Sequence, residues 1–139
     1  MAIKTIFLAD DDKDDLDMLS AVLSELMPGS LIRTFLDGTE LVMHLAAHPD
    51  QQAPQLMILD YKMPLMDGPA VLNRLQSTHH AFIPAFILST SQEERDKARC
   101  LQAGASGYFS KPTNYGELKF IILEIMRRCE AGGHHSNRK

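Results

Sequence analysis

Residues 56–68 read LMILDYKMPLMDG, in which four apolar residues end at Asp60 and a loop with Pro64 and Gly68 follows. The apolar run is short and does not alternate with polar residues, which predicts a strand covered on both faces, as in a parallel sheet. Proline and glycine after the run predict that the chain turns there. Asp60 is therefore predicted to lie at the carboxyl end of a buried strand, where open α/β sheets bind their ligands.

Strand and helix patterns alternate on both sides of this stretch. Short apolar runs predict strands at residues 3–9, 31–36, 82–88 and 105–110, and apolar residues at helical spacing predict a helix after every strand. Ser91 is predicted to cap the fourth helix. Five strands alternating with five helices indicate one α/β domain, with a parallel sheet, right-handed crossovers and helices on both faces.

Composition excludes several classes of protein. The 139 residues carry a formal net charge of −4, whereas a nucleic-acid-binding domain usually presents a basic face. The first apolar run is too short for a signal peptide, and no run approaches the roughly 18 apolar residues of a membrane helix. Cys100 and Cys129 match no metal or disulfide pattern and are predicted to be free thiols. We expect a soluble, cytoplasmic protein that contacts neither nucleic acid nor membrane.

Polar side chains follow four of the five predicted strands. Asp10 and Asp11 follow the first strand, Asp60 the third, Ser89 the fourth and Lys111 the fifth. Carboxylates that meet at one edge raise one another's pKa unless a cation is present, and Mg²⁺ prefers carboxylate and phosphate oxygens. An ammonium and a hydroxyl suit a phosphoryl group. The set predicts phosphoryl transfer, in which a carboxylate can itself be the nucleophile.

Four segments in order resemble the receiver domain of two-component response regulators: residues 6–12, residues 56–68, Ser89 and residues 103–112. The likeness covers roughly residues 3–128. It implies a flavodoxin-like (βα)5 doubly wound sandwich with strand order 2-1-3-4-5, which is an order known for this architecture. We expect a receiver domain over residues 1–131, a disordered tail over residues 132–139, and a stand-alone protein without a fused DNA-binding domain.

The resemblance also implies roles for the residues at the strand ends. Asp60 is the expected phosphoacceptor, and Lys111 is expected to pair with the phosphoryl oxygens. Asp11 is expected to bind Mg²⁺ directly, Asp10 directly or through water, and Lys62 through its backbone carbonyl; Mn²⁺ can replace Mg²⁺. For Asp10 and Asp11 the alternative is a role in capping the first helix.

Two further residues are implied to act as a switch. Ser89 is expected to hydrogen-bond to the phosphoryl group, which lets the Tyr108 ring turn inward and reshapes the surface of the fourth helix, fifth strand and fifth helix. The alternative for Tyr108 is a half-buried structural aromatic residue. Lys62 and Ser91 depart from the best-known members, and we hypothesise that they set the lifetime of the aspartyl phosphate. The Lys111–Pro112 peptide bond is implied to be cis.

The implied function is that of a phosphorelay response regulator, whose partner is a histidine kinase or a histidine phosphotransfer protein. A homodimer through the switch surface is a further implied partner, and a solvated charged face is the alternative there. The domain is expected to catalyse only its own phosphorylation and dephosphorylation. The alternatives are a phosphorylation-independent binding module and a Mg²⁺-dependent aspartyl-phosphate phosphatase, although such phosphatases usually have a second aspartate where Lys62 stands.

Overall fold

The computed structural model describes residues 3–49 and 53–135, and it describes side chains as far as Ala131. Five parallel strands form one sheet in the order β2-β1-β3-β4-β5, which confirms the expected topology. The elements in chain order are β1 (Thr5–Ala9), α1 (Lys13–Leu26), β2 (Leu31–Phe35), α2 (Gly38–Ala47), β3 (Leu56–Asp60), α3 (Gly68–Leu75), β4 (Ala85–Ser89), α4 (Glu94–Gln102), β5 (Gly107–Ser110) and α5 (Tyr115–His135).

The core has two layers because side chains alternate across each strand. In β1, Ile6 and Leu8 face the layer formed with α1 and α5, whereas Phe7 and Ala9 face the layer formed with α2, α3 and α4. Every residue of β3 and β4 is buried. The three central strands are therefore covered on both faces, and their carboxyl ends are held at one edge of the sheet.

Aspartates cap α1 and α3, two of the helices that begin at this edge. Asp12 accepts hydrogen bonds from the backbone N–H groups of Asp14 and Asp15 at the start of α1, and Asp67 accepts one from Ala70 in α3. These caps satisfy amides that have no partner within the helix. The functional edge of the sheet is therefore rich in acids for structural reasons as well.

The start of α4 differs from the prediction. Glu93 is its N-terminal cap residue and makes no side-chain capping hydrogen bond, so the predicted cap, Ser91, is wrong. The Ser91 hydroxyl accepts a hydrogen bond from the Glu93 N–H at 3.2 Å but donates its own hydrogen to Asp96. The Ser91 hydroxyl therefore lies in the loop before the helix, where it links the Glu93 N–H to the Asp96 carboxylate, and α4 begins at Glu94.

Other predicted boundaries also shift. β4 begins at Ala85 and not at Phe82, whose side chain is exposed. Helix α5 continues through His135, so the part of the expected disordered tail up to that residue is helical, while residues 136–139 lie outside the described residues. The Lys111–Pro112 bond is trans, contrary to the implied cis form. Among residues 3–49 and 53–135, no helix combines the length and apolar character needed to cross a bilayer.

Candidate functional site

Three carboxylates meet at the carboxyl ends of the adjacent strands β1 and β3. Asp60 is the last residue of β3, and Asp10 and Asp11 directly follow β1. One oxygen from each carboxylate lies within 4.8 Å of the others. Asp10 and Asp60 are buried and Asp11 is exposed. A group of oxygen donors that is partly buried and open on one side fits a hard divalent cation that keeps some of its water.

The Lys111 ammonium lies among acids at this edge of the sheet. Its Nζ is 2.9 Å from Asp10 Oδ2, 2.8 Å from Asp15 Oδ2 and 3.3 Å from Asp60 Oδ2. Asp15 was not predicted as a site residue, because an acid in the first turn of a helix is usually solvated. Its position in the first turn of α1, directly after the β1 end, is the signal that could have identified it.

The carboxyl group of Asp60 is unusually hard to ionise. Burial raises its pKa, the Asp10 carboxylate raises it further, Lys111 lowers it in part, and the resulting value is about 7. Burial lowers the pKa of Lys111, but the carboxylates of Asp15, Asp10 and Asp60 outweigh this effect and raise it above its ordinary value. The ammonium stays charged, and the acids around it still outnumber the positive charges. The donor set therefore fits an additional cation.

A cleft of about 360 Å³ opens beside Asp60. Its lining includes Asp60, Lys62, Ser89, Thr90 and Lys111. The cleft is large enough for a phosphoryl group, and it offers a carboxylate, a hydroxyl and an ammonium. The structure thus brings together the acids and Lys111 and places Ser89 and Lys62 in the same cleft.

Tyr108 lies outside this cleft but is joined to it through Ser91. The Tyr108 hydroxyl donates a hydrogen bond to the Ser91 carbonyl oxygen at 2.8 Å. Its ring is half-buried against the core layer of α2, α3 and α4. The ring is therefore packed against the domain in this structure, and its movement on phosphorylation stays a prediction.

Gly68 explains how the loop after β3 returns so closely to the phosphoacceptor strand. A Cβ at this position would lie 2.7 Å from the Asp60 carbonyl oxygen and 2.9 Å from Ile87 Cδ1. The Gly68 N–H donates a hydrogen bond to the Tyr61 carbonyl oxygen at 2.9 Å. A side chain here would push α3 away from β3, so glycine is needed for the close approach.

Comparisons with known proteins agree with this geometry. The family described as "Response regulator receiver domain" matches residues 6–123. The regulatory protein VanRc of Enterococcus gallinarum is 30% identical over 129 residues, which are 93% of this chain and 52% of that protein. The alkaline phosphatase synthesis transcriptional regulatory protein PhoP of Bacillus subtilis is 29% identical, over 98% of this chain and 54% of that protein. The chain spans about half the length of these curated relatives.

Solved structures give the same result. The phosphorylated cyanobacterial phytochrome response regulator RcpA superposes with a TM-score of 0.78 at 29% identity, covering 89% of this chain and 91% of that one. The Mn²⁺-bound form of response regulator Rcp1 superposes with a TM-score of 0.76 at 25% identity, covering 88% and 91%. The expected resemblance and the flavodoxin-like fold are therefore confirmed, and the chain belongs to the response regulator receiver domain family.

Proposed function

We propose that this receiver accepts a phosphoryl group on Asp60, in a Mg²⁺-dependent reaction, from a histidine kinase or a histidine phosphotransfer protein. The observation that carries the proposal is the position of the Lys111 ammonium, which contacts the carboxylates of both Asp60 and Asp10 at the side of a phosphoryl-sized cleft. Phosphorylation of an aspartate is typical of the family. The transfer changes the surface of α4, β5 and α5, through which the protein binds its partners or a second copy.

Side chains of this protein act in the transfer as the nucleophile and as the groups that stabilise the phosphoryl oxygens. An Asp60 carboxylate oxygen attacks phosphorus, the bond from phosphorus to the donor's imidazole nitrogen breaks, and its electron pair returns to the imidazole. The Lys111 ammonium neutralises charge on the phosphoryl oxygens, and the Ser89 hydroxyl donates a hydrogen bond to one of them. These groups act on the protein's own aspartate, so the domain catalyses no reaction beyond its own phosphorylation and dephosphorylation.

The carboxylates of Asp10, Asp11 and Asp60, together with the Lys62 carbonyl, would hold the Mg²⁺ ion. A bound divalent cation supplies positive charge that favours the ionised form of Asp60 and offsets the charge of the phosphoryl oxygens. Mn²⁺ is expected to replace it, since its ligand preference is similar. The similar response regulator Rcp1 has been solved in a Mn²⁺-bound form.

The mass of the intact protein tests this function. After incubation with acetyl phosphate and Mg²⁺ the wild type is expected to gain one phosphoryl group, whereas Asp60→Asn and the wild type in EDTA gain none. Asp14→Asn is the matched control, because Asp14 is an exposed acid at the same edge of the sheet. A wild type that gains no mass under any condition would contradict the proposal and favour a binding module that works without phosphorylation.

Mg²⁺ is also expected to stabilise the fold without any phosphoryl donor. A ligand that binds only the folded state at about ten to a hundred times its Kd adds about 1–3 kcal/mol, which raises Tm by about 5 °C in a domain of this size. Asp11→Asn should remove most of this rise, since it removes one of the three carboxylates that would hold the ion. Thermal unfolding with and without Mg²⁺ measures the rise in Tm, and Asp14→Asn serves as the control. An equal rise in Asp11→Asn and the wild type would show that Asp11 is not a ligand.

A further inference from the structure

Ser91 occupies a central position between the two residues implied to act as the switch. Its N–H donates a hydrogen bond to the Ser89 hydroxyl oxygen at 2.9 Å, and its carbonyl oxygen accepts one from the Tyr108 hydroxyl at 2.8 Å. Its own hydroxyl donates to Asp96 Oδ2 at 2.5 Å. The position of Ser91 therefore determines where the Ser89 and Tyr108 side chains are held.

Asp96, in the first turn of α4, connects this loop to the residue after the phosphoacceptor. While Oδ2 accepts from Ser91, Oδ1 accepts a hydrogen bond from the Tyr61 hydroxyl at 2.9 Å. The hydrogen bonds from Ser91 and Tyr61 lower the pKa of Asp96, so it is a carboxylate at neutral pH and each oxygen serves one donor. We call these two hydrogen bonds the Asp96 bridge.

Polar contacts, more than apolar packing, hold α4 against the domain. The structure describes all of α4, and Cys100 is its single buried residue, whereas a helix packed on a core usually buries three or four residues in every two turns. Arg99 adds a second contact with the loop after β3, since its Nη1 is 3.0 Å from Asp67 Oδ2 and 3.4 Å from the Tyr61 hydroxyl. An element held in this way can shift when one polar contact is lost.

We propose that Asp96 is a positioning residue for the reaction of Asp60, because it holds Ser91 where the Ser89 hydroxyl and the Tyr108 ring are arranged for the phosphorylated state. The proposal rests on the proposed function of Asp60. Asp96 touches no reacting atom itself; it acts through the Ser91 hydroxyl and the Tyr61 hydroxyl.

The hydrogen-bond donors and acceptors of Ser89 and Ser91 explain how the Asp96 bridge assists the reaction of Asp60. The Ser91 N–H occupies an acceptor site of the Ser89 oxygen, which leaves the Ser89 hydrogen free to be donated to a phosphoryl oxygen. The Ser91 carbonyl keeps the Tyr108 hydroxyl close to the loop. Without the bridge the loop samples other positions, and the reaction must first restore this arrangement, which lowers the fraction of competent molecules.

The first experiment needs no phosphoryl donor. The protein has three tyrosines and no tryptophan, so labelling with 3-fluorotyrosine gives three ¹⁹F NMR signals that single Tyr→Phe variants assign. Asp96→Asn keeps the shape of the side chain but replaces one acceptor oxygen with a donor, and it is expected to shift the signal of Tyr108 as well as that of Tyr61. Glu94→Gln is the matched control, because Glu94 is an exposed acid in the same turn of α4, and it should leave the Tyr108 signal in place.

The second experiment measures the rate of phosphoryl uptake from acetyl phosphate in Mg²⁺. Asp96→Asn is expected to slow uptake about three- to tenfold, while Glu94→Gln keeps the wild-type rate. Ser91→Ala should slow it similarly, and the Ser91→Ala/Asp96→Asn double variant should be no slower than the slower single variant, because both remove the same interaction. Circular dichroism checks that every variant is folded.

An Asp96→Asn protein with the wild-type Tyr108 signal and the wild-type rate would overturn the proposal. A double variant whose losses simply add would also overturn it, because the effect would then not pass through Ser91. A wild type that takes up no phosphoryl group would contradict the proposed function and not the Asp96 bridge, and the Tyr108 signal alone would then decide whether the bridge holds the loop.

Discussion

Lys111→Met is expected to slow phosphoryl uptake by about a hundredfold or more and, at the same time, to tighten Mg²⁺ binding. The Lys111 ammonium contacts Asp10, Asp15 and Asp60, and its side chain is 15% exposed, so its charge acts in a partly dry site. Removing one preorganised group that neutralises charge in a transition state typically costs about two to three orders of magnitude in rate. Methionine keeps the apolar length of the side chain, so packing is largely preserved.

The effect on Mg²⁺ has the opposite sign because lysine and the divalent cation compete for the same carboxylates. Without the ammonium, the carboxylates of Asp10 and Asp60 have lost their cationic partner. Mg²⁺ then gains more by binding between them. The combination of slower uptake and tighter binding separates a charge-neutralising role of Lys111 from simple damage to the site, which would weaken both.

Isothermal titration with Mg²⁺ and the rate of mass gain with acetyl phosphate measure the two effects. Lys119→Met is the matched control, since Lys119 makes an ion pair with Glu25 on the outer face of α1 and α5, away from the phosphoacceptor. If Lys111→Met took up phosphate at the wild-type rate, the contacts of Lys111 with Asp60 and Asp10 would no longer support the proposed function.

Much of the site could be predicted from the sequence because strand ends in a parallel sheet are geometrically constrained. Once β1, β3 and β5 are recognised as parallel neighbours or near neighbours, the residues that follow them must meet at one edge. With that strand order, no further information is needed to predict that Asp10, Asp60 and Lys111 meet. The structure brings all three into contact. The strand order was implied by the family resemblance and not by periodicity.

The contacts that the sequence did not predict join residues that are far apart in the chain. Asp15, in the first turn of α1, pairs with Lys111 at the end of β5, 96 positions further on. The hydrogen bond between Tyr61 and Asp96 joins residues 35 positions apart, and no local sequence pattern predicts that these two side chains meet. The predicted cap of α4 is wrong for a different reason: Glu93 is the N-terminal cap residue, and the Ser91 hydroxyl lies in the loop before it, where it donates to Asp96.

Asp60→Asn is expected to stabilise the fold at pH 8 in the absence of divalent cations, although it abolishes phosphorylation. The carboxyl group of Asp60 has a pKa of about 7 in the folded protein, against an ordinary value of 3.8, chiefly because of burial and the Asp10 carboxylate. Between these two values the folded state binds more protons than the unfolded state. The contribution of Asp60 to stability therefore falls as pH rises from about 4 to about 7, and it stays low above that range. Asparagine does not titrate and avoids this loss.

Each tenfold change in the proton affinity of a group on folding corresponds to about 1.4 kcal/mol. The full effect is reduced here, because water reaches Asp60 through the cleft and the Lys111 ammonium partly neutralises its charge. We therefore expect Asp60→Asn to gain about 1–2 kcal/mol of stability at pH 8. The gain should be smaller at pH 5, where the folded wild type is mostly protonated at Asp60. Urea unfolding of both proteins in EDTA at pH 5 and pH 8 measures this difference, and Asp14→Asn controls for the change in net charge. Saturating Mg²⁺ should shrink or reverse the gain, because the cation stabilises only the ionised wild type. If Asp60→Asn were instead less stable than the wild type at pH 8 in EDTA, the attraction of the Asp60 carboxylate to Lys111 would outweigh the effects of burial and of the Asp10 carboxylate.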